Sequence, residues 1–597
     1  MKKSILLAAV LLNAFIAKAQ EFETVVQETI FNSSDKVVID REQIEKSKAP
    51  NITTLLSTQA NISASSTPFQ PSSLFIRGGD SGHVLILIDG VPFYDAATIQ
   101  RTFNLNNLDI RTVEKIEIIK GSQSVLFGGQ AMSGVIKITT IPKTPRKPRV
   151  IAEVGSFDKA NVGATYQTTM VEGVFSANAR LGQKNNRSPV LDSNKIYPSK
   201  NVATDLSYRR DAEWFIQGKA TYLADDSFSA STSYPSFRII DADDFEIANE
   251  QTGVSLVTGS TKNQFKPQLG VSHQWSYSTY DQPVSVANPI LTHQVYEGQT
   301  TQVRGEARIL DLEGSQLDVG ASYTKEQMRY SDQGLVASDV FSELRGIFAK
   351  YDQDLGSGIK ASFGGRFETW EYEDGVVTGQ LGLVFQENTK FEVATGFKSP
   401  SLFQLYSSYG NPDLEAEKSV SYSLSHQQKL NDSMNASMTV FYTEFSNLMA
   451  TQGTPRKFYN IGKSNTKGVE AAYGWTIDPN NQVSLVAGYQ EPWDETNKQW
   501  LIRRPLVSGS ARYGYTWESF QIQAEIVGVG PRSDKNGSTT YTELPGYVIG
   551  NLSASQYLNE SFEVYLRLDN VTDYRYEQSY SYYSEGFAAT LGMVAQF

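Results

Sequence analysis

From Val150 to the C-terminus the chain alternates apolar and polar residues in short runs separated by Ser, Asn, Asp and Gly. In Phe562–Asp569, the residues Phe562, Val564, Leu566 and Leu568 are apolar, while Glu563, Arg567 and Asp569 fall between them; Leu317–Thr324 and Phe520–Ile526 repeat the pattern. A period of two sends alternate side chains to opposite faces, so these runs predict strands with one apolar and one polar face. Soluble sandwiches alternate as well. Length separates the two cases: the segment holds about 22 crossings if each takes ~9–11 residues and is followed by a connection, and a barrel of that size has a plugged lumen. Closure removes every sheet edge, so backbone polar groups at membrane depth all find partners. Glu525, Glu563 and Arg567 share the polar parity, as they must where a Lys or Arg facing lipid at the midplane costs about 2–4 kcal/mol. The last run places Phe587, Ala589, Leu591, Met593, Ala595 and Phe597 on one face. The pattern reads as a transmembrane β-barrel of about 22 antiparallel strands, spanning 146–597, with an N-terminal α/β domain over 36–145 inside the lumen.

That α/β domain has a different grammar. Val37, Val38 and Ile39 predict a strand, Asp40-Arg41 a turn, and Ile44, Ile52, Leu55 and Leu56 a helix that restarts at Pro50. Leu74–Ile76 and Val84–Ile88 are continuous apolar runs, which predicts strands buried on both faces. Asp89-Gly90 supplies a turn and Val113–Ile119 a further strand. Ahead of the domain, Lys2 and Lys3, the apolar run Ile5–Ile16 and Ala17-Lys18-Ala19 predict a signal peptide over 1–19. The run is short of the ~20 residues a spanning helix needs. Residues 20–35 form a polar lead with one apolar knot at Val25-Val26.

Composition narrows the function. The chain has no cysteine and 4 histidines, so disulfides, thiolate metal sites and cysteine nucleophiles are excluded, and no histidine falls in a catalytic or metal motif. A net charge of -12 argues against nucleic acid as a partner. The 31 tyrosines and 30 phenylalanines suit aromatic girdles at the two membrane interfaces.

The α/β domain also carries a series of glycine-punctuated motifs: Ile76-Arg77-Gly78, Leu87-Ile88-Asp89-Gly90-Val91, Val113-Glu114-Lys115-Ile116-Glu117, Gly121–Gly128 and Gly134-Val135-Ile136. Their order and spacing resemble the plug domain of TonB-dependent outer-membrane receptors. Gly396–Pro400, Asn411–Glu417, Tyr459–Gly462, Lys467–Glu470 and Leu568–Asp573 resemble the later barrel strands of that family. Lys120 stands where the family usually has arginine, Ser122 where proline is common, and Gly586-Phe587 where a glycine-arginine pair is usual. The resemblance implies outer-membrane location, uptake energised by TonB with ExbB and ExbD, and a monomer among membrane lipid. Glu23, Thr24, Val25, Val26 and Gln27 look like a TonB box, able to add as a strand to a partner sheet. It further implies that Arg77 and Lys120 of the plug meet Glu417 and Glu470 of the barrel as separable buried ion pairs.

Within the family, Ser81–Val91 and Gln404–Pro412 are most similar to the vitamin B12 (cobalamin) receptors, and the chain is compact, since the ferric siderophore receptors often run longer. Cobalamin is the expected ligand and a ferric siderophore the alternative. Haem is disfavoured, because no histidine lies between Pro400 and Asn411. Candidate ligand contacts are Phe69, Gln70, Tyr94 and Thr98 in the plug's apical turns, with Tyr406 and Tyr409 of the barrel; these mix apolar faces with hydrogen-bonding groups. Asp225, Asp226, Asp241, Asp243 and Asp244 form oxygen-rich clusters in expected extracellular loops, suited to Ca²⁺, although their spacing is not that of an EF-hand. His83 reads as a plug surface residue. Outside the receptor class, a passive porin would need neither plug nor TonB box, and an outer-membrane enzyme would need a catalytic motif.

Overall fold

The computed structural model describes residues 36–65, 73–233, 238–242, 245–260, 262, 265–284, 291–370, 375–453, 455–536 and 540–597. The expected signal peptide and the segment Glu23–Gln27 lie outside the described residues, as do Phe69, Gln70, Asp243 and Asp244.

The plug is built on a five-stranded sheet in the order β1-β6-β7-β4-β5, comprising β1 (Lys36–Asp40), β4 (Val84–Ile88), β5 (Val91–Pro92), β6 (Lys115–Lys120) and β7 (Gly134–Thr139). A separate hairpin pairs β2 (Ile62–Ser65) with β3 (Ser73–Ile76). Strand β4 is buried along its whole length, for the reason its unbroken apolar run suggests. Val84, Ile86 and Ile88 face a core with Ile52, Leu56, Phe103, Ile116 and Ile136, while Leu85 and Leu87 face Ala131 and Val135 on the other side. Asp40 is a helix N-cap, not a turn: its carboxylate accepts from the Gln43 amide and Gln43 reaches back to the Asp40 amide, opening the helix Arg41–Ser47. A second short helix, Ile52–Leu56, starts after Pro50 on an Asn51 cap. The strand expected from Val113 begins at Lys115, because Val113 ends the 3₁₀ turn Ile110–Thr112.

The barrel is a closed antiparallel sheet of 22 strands with one extra short strand, and it closes where Ala588–Gln596 pairs with Arg149–Gly155. Its burial is inverted relative to a protein in water. Val377, Ile347 and Val548 point outward at 76%, 62% and 62% exposure, while Arg308, Asp318, Glu525 and Glu563 are buried inside. Such an apolar belt is stable only against lipid. Outward tyrosines such as Tyr166, Tyr422, Tyr442 and Tyr513 add interfacial anchors. Strands Thr292–Leu312, Leu335–Gly356 and Lys457–Asp478 run 21, 22 and 22 residues, about twice the ~9–11 a crossing requires. The wall therefore rises beyond the membrane on the side of the long connections, which is the extracellular side.

Candidate functional site

The plug is fastened to the barrel by charged groups taken out of water. Arg77 has φ 46 and Gly78 φ 79. This left-handed pair turns the chain beside the barrel wall, and a Cβ at Gly78 would lie 1.9 Å from Thr466 Oγ1, so only glycine fits there. The turn aims the Arg77 guanidinium at Glu470, which it grips through Nε at 3.2 Å and Nη2 at 3.0 Å, while stacking 4.6 Å from the Phe441 ring. Lys120 reaches the same carboxylate at 3.0 Å and also donates to the Ala60 carbonyl at 2.5 Å.

Glu417 is held differently. Lys398 lies at 3.4 Å, His83 Nε2 at 3.0 Å, and the Met449 amide donates at 2.8 Å. The Asp80 amide donates to His83 Nδ1 at 3.0 Å, which assigns the remaining ring proton to Nε2 facing Glu417. The four residues expected to pair thus divide: Arg77, Lys120 and Glu470 converge, and Glu417 joins a separate cluster. His83 is not a surface residue; it is 2% exposed and stacked on Phe445.

Three further links lie outside the sequence expectations. The Asp89 carboxylate accepts from the Thr140 amide and hydroxyl, both at 2.7 Å, and from Lys219 of the barrel at 3.1 Å. The Asp-Gly turn signal identified the bend and concealed this anchoring role. Arg101 pairs with Glu326 at 2.8 Å and donates to the carbonyls of Ser399 and Pro400. Asp109 takes two bonds from the Arg111 side chain and faces Arg180 of the barrel at 4.0 Å. Burial alone raises the Asp109 pKa, but Arg111, then Arg180, bring it down to about 2.

Above these links an apolar floor closes the extracellular side of the lumen. Ala97 of the plug packs with Met328, Leu402, Phe403, Leu414 and Phe458 of the barrel. Tyr280, Tyr296, Tyr330 and Phe403 form a chain of rings with centroids 4.9 to 6.2 Å apart. Of the expected ligand contacts, Tyr94 is buried and its hydroxyl donates to Glu326 at 2.7 Å. Thr98 closes a turn by donating to the Asp95 carbonyl. Tyr406 packs against the floor, and Tyr409 is 47% exposed above it. Sequence reading missed Tyr280, Tyr296 and Tyr330, whose signal was their place near the extracellular ends of strands.

The described acidic residues divide between a strand and a loop. Asp225 and Asp226 lie in the strand Trp214–Phe228 rather than a loop, and Asp225 accepts from Asn107 of the plug and Asn249. Alternation resumes through Asp225, so its clustering with Asp226 resembled a loop without being one. Asp241 is in a loop and accepts from Ser188, Ser193 and Tyr197. Burial raises its pKa, and these three hydroxyls together with the charge of Lys195 more than offset that, lowering it. Among the described residues no three His, Asp or Glu side chains are arranged to hold a metal ion.

Comparison with known proteins matches this architecture. The family described as TonB dependent receptor-like, beta-barrel covers residues 152–571, and the TonB-dependent Receptor Plug Domain covers 30–135. The vitamin B12 transporter BtuB from Vibrio cholerae serotype O1 is 25% identical over 605 residues, spanning 98% of this chain and 95% of that one. The siderophore receptor PirA of Acinetobacter baumannii superposes with a TM-score of 0.82 at 14% identity, covering 97% of this chain and 100% of PirA. Pseudomonas aeruginosa FpvA, solved with pyoverdines, gives 0.80 at 15% identity over 94% of this chain and 86% of its own. At such identities the superpositions establish the fold alone. The matched family consists of receptors and transporters rather than enzymes. A plugged barrel of 22 strands, with matches to the plug and barrel families over most of its length, makes this chain a member of the TonB-dependent receptors of the outer membrane.

Proposed function

We propose that the protein binds cobalamin at its extracellular floor and passes it through the outer membrane when TonB, energised with ExbB and ExbD, pulls on residues 23–27. The observation that carries this reading is the near end-to-end likeness to a vitamin B12 transporter. The floor supports it. Its described surface is aromatic and phenolic, and Arg101 and Lys398, which adjoin it, are engaged with Glu326 and Glu417. A large ligand with broad apolar faces and a polar periphery suits such a surface; an anionic ferric chelate would compete with those carboxylates for the cations.

Titration of the purified protein with cyanocobalamin, beside a panel of ferric siderophores, tests the assignment. Saturable cobalamin binding is expected. Binding of a ferric siderophore without cobalamin would move the ligand to that class. Repeating the titration with and without Ca²⁺ tests the acidic residues: calcium-dependent binding would support a metal site that includes Asp241, and an affinity indifferent to Ca²⁺ would remove it.

A further inference from the structure

The lumen is not filled evenly. Between the helix Arg41–Ser47 of the plug and the barrel wall lies a cleft of about 420 Å³. Pro479 and Asn480, in a short periplasmic turn, line its mouth, so it opens toward the periplasm. Gln43 and Lys46 form its plug side, and Ser484, Gln523 and Arg512 are among the groups on its wall. Except for Arg512, which pairs with Glu525, those wall groups are neutral.

The wall formed by the strands of residues 292–398 is different. There Arg308–Asp318, Lys350–Asp352, Arg366–Glu368 and Lys390–Glu392 pair within the barrel itself, with every side chain at most 5% exposed. A solute moving along that side would have to part or desolvate packed charges. Along the cleft it would meet mainly hydroxyls and amides, with Lys46 and Arg512 as the charged groups among those named.

The cleft ends at a ceiling. Ser510 donates to the Thr58 carbonyl at 2.8 Å, and the Asn61 amide donates to Ser508 at 3.1 Å. Gly488 brings the wall so close that a Cβ there would lie 2.6 Å from Asn61 Oδ1. The turn 58–61 is also tied to Glu470, because Lys120 holds both the Ala60 carbonyl and that carboxylate. These are the first contacts above the cleft, and the Glu470 clamp is part of them; higher on the same side Ser63 donates to the Arg503 carbonyl and Arg504 stacks on Phe75.

We infer that this cleft is the inner half of the transport route, open to the periplasm before TonB acts, so that energised release begins by displacing the 58–61 turn and the Glu470 clamp. The inference rests on the transport reading above. Since the chain has no cysteine, single substitutions label cleanly. Ser484→Cys and Gln523→Cys in the full-length protein in cells are expected to react with a small maleimide from the periplasm without ligand or TonB activity. Coupling a poly(ethylene glycol) maleimide at either position is expected to abolish cyanocobalamin uptake and spare its binding. The same label at Ser357→Cys, on an exposed turn below the ion-paired wall, is expected to leave uptake intact. Full labelling of both cleft positions with unchanged uptake would overturn the route, and failure of both to react at rest would overturn its being open. If the unlabelled variants show no TonB-dependent uptake, the transport reading falls, and this inference with it.

Discussion

Glu470 holds two plug cations at once, so its charge bears more on plug retention than any single guanidinium or ammonium does. Glu470→Gln keeps the shape and leaves Arg77 and Lys120 buried beside a neutral amide, a change expected to cost about 3–5 kcal/mol. The urea concentration at which the plug leaves the barrel, read as the onset of conductance in planar bilayers, should fall; an unchanged onset would remove Glu470 from the clamp. Gly78→Ala should lower the same onset by a different route, since the added methyl has no room beside Thr466 and overpacking costs about 1–3 kcal/mol. Sequence could name Arg77, Lys120, Glu417 and Glu470 because they sit in recognisable motifs. It could not say which carboxylate each cation would choose, because that depends on the register between plug and barrel, which no local pattern encodes. His83 was misjudged, and the anchoring role of Asp89 missed, for the same reason: each looks like a polar group beside an apolar run, and only the wall brought up against it makes it an anchor.

The 3₁₀ turn Ile110–Thr112, capped by Asp109, joins the plug core to the early barrel strands, and its stability should depend on acidity. The folded Asp109 pKa of about 2 lies below its usual 3.8. A depressed carboxylate stabilises the fold above the unfolded value, and that contribution fades as pH falls toward the folded value. The protection of amides across 104–113, corrected for the intrinsic pH dependence of exchange, should therefore be constant down to about pH 4 and fall between about pH 4 and pH 2; protection already falling near neutral pH would contradict the Arg111 and Arg180 pairing. Regular elements were the most legible part of this chain. The period-two runs gave the strands and their inward parity, since lipid outside and packed polar groups inside leave little choice. Boundaries were less legible where a cap competes with a turn, as at Asp40, or a 3₁₀ turn precedes a strand, as at Val113. The Asp225-Asp226 pair was expected in an extracellular loop, yet Asp225 lies in a strand and is held by hydrogen bonds from the amides of Asn107 and Asn249.

Taken together, ion pairs fasten the plug inside the closed wall, and a cleft lies beneath them on one side of an asymmetric lumen. The barrel class was legible because strand count and parity are properties of the entire sequence. The ligand was not, because the floor is assembled from Tyr280, Tyr296, Tyr330 and Phe403 on distant segments. The central claim is energised uptake, and it is tested most directly by the accumulation of labelled cyanocobalamin in cells carrying either the intact chain or one lacking residues 23–27. The account predicts that the deletion abolishes accumulation while surface binding persists. Accumulation that survives the deletion would mark a passive channel and contradict it.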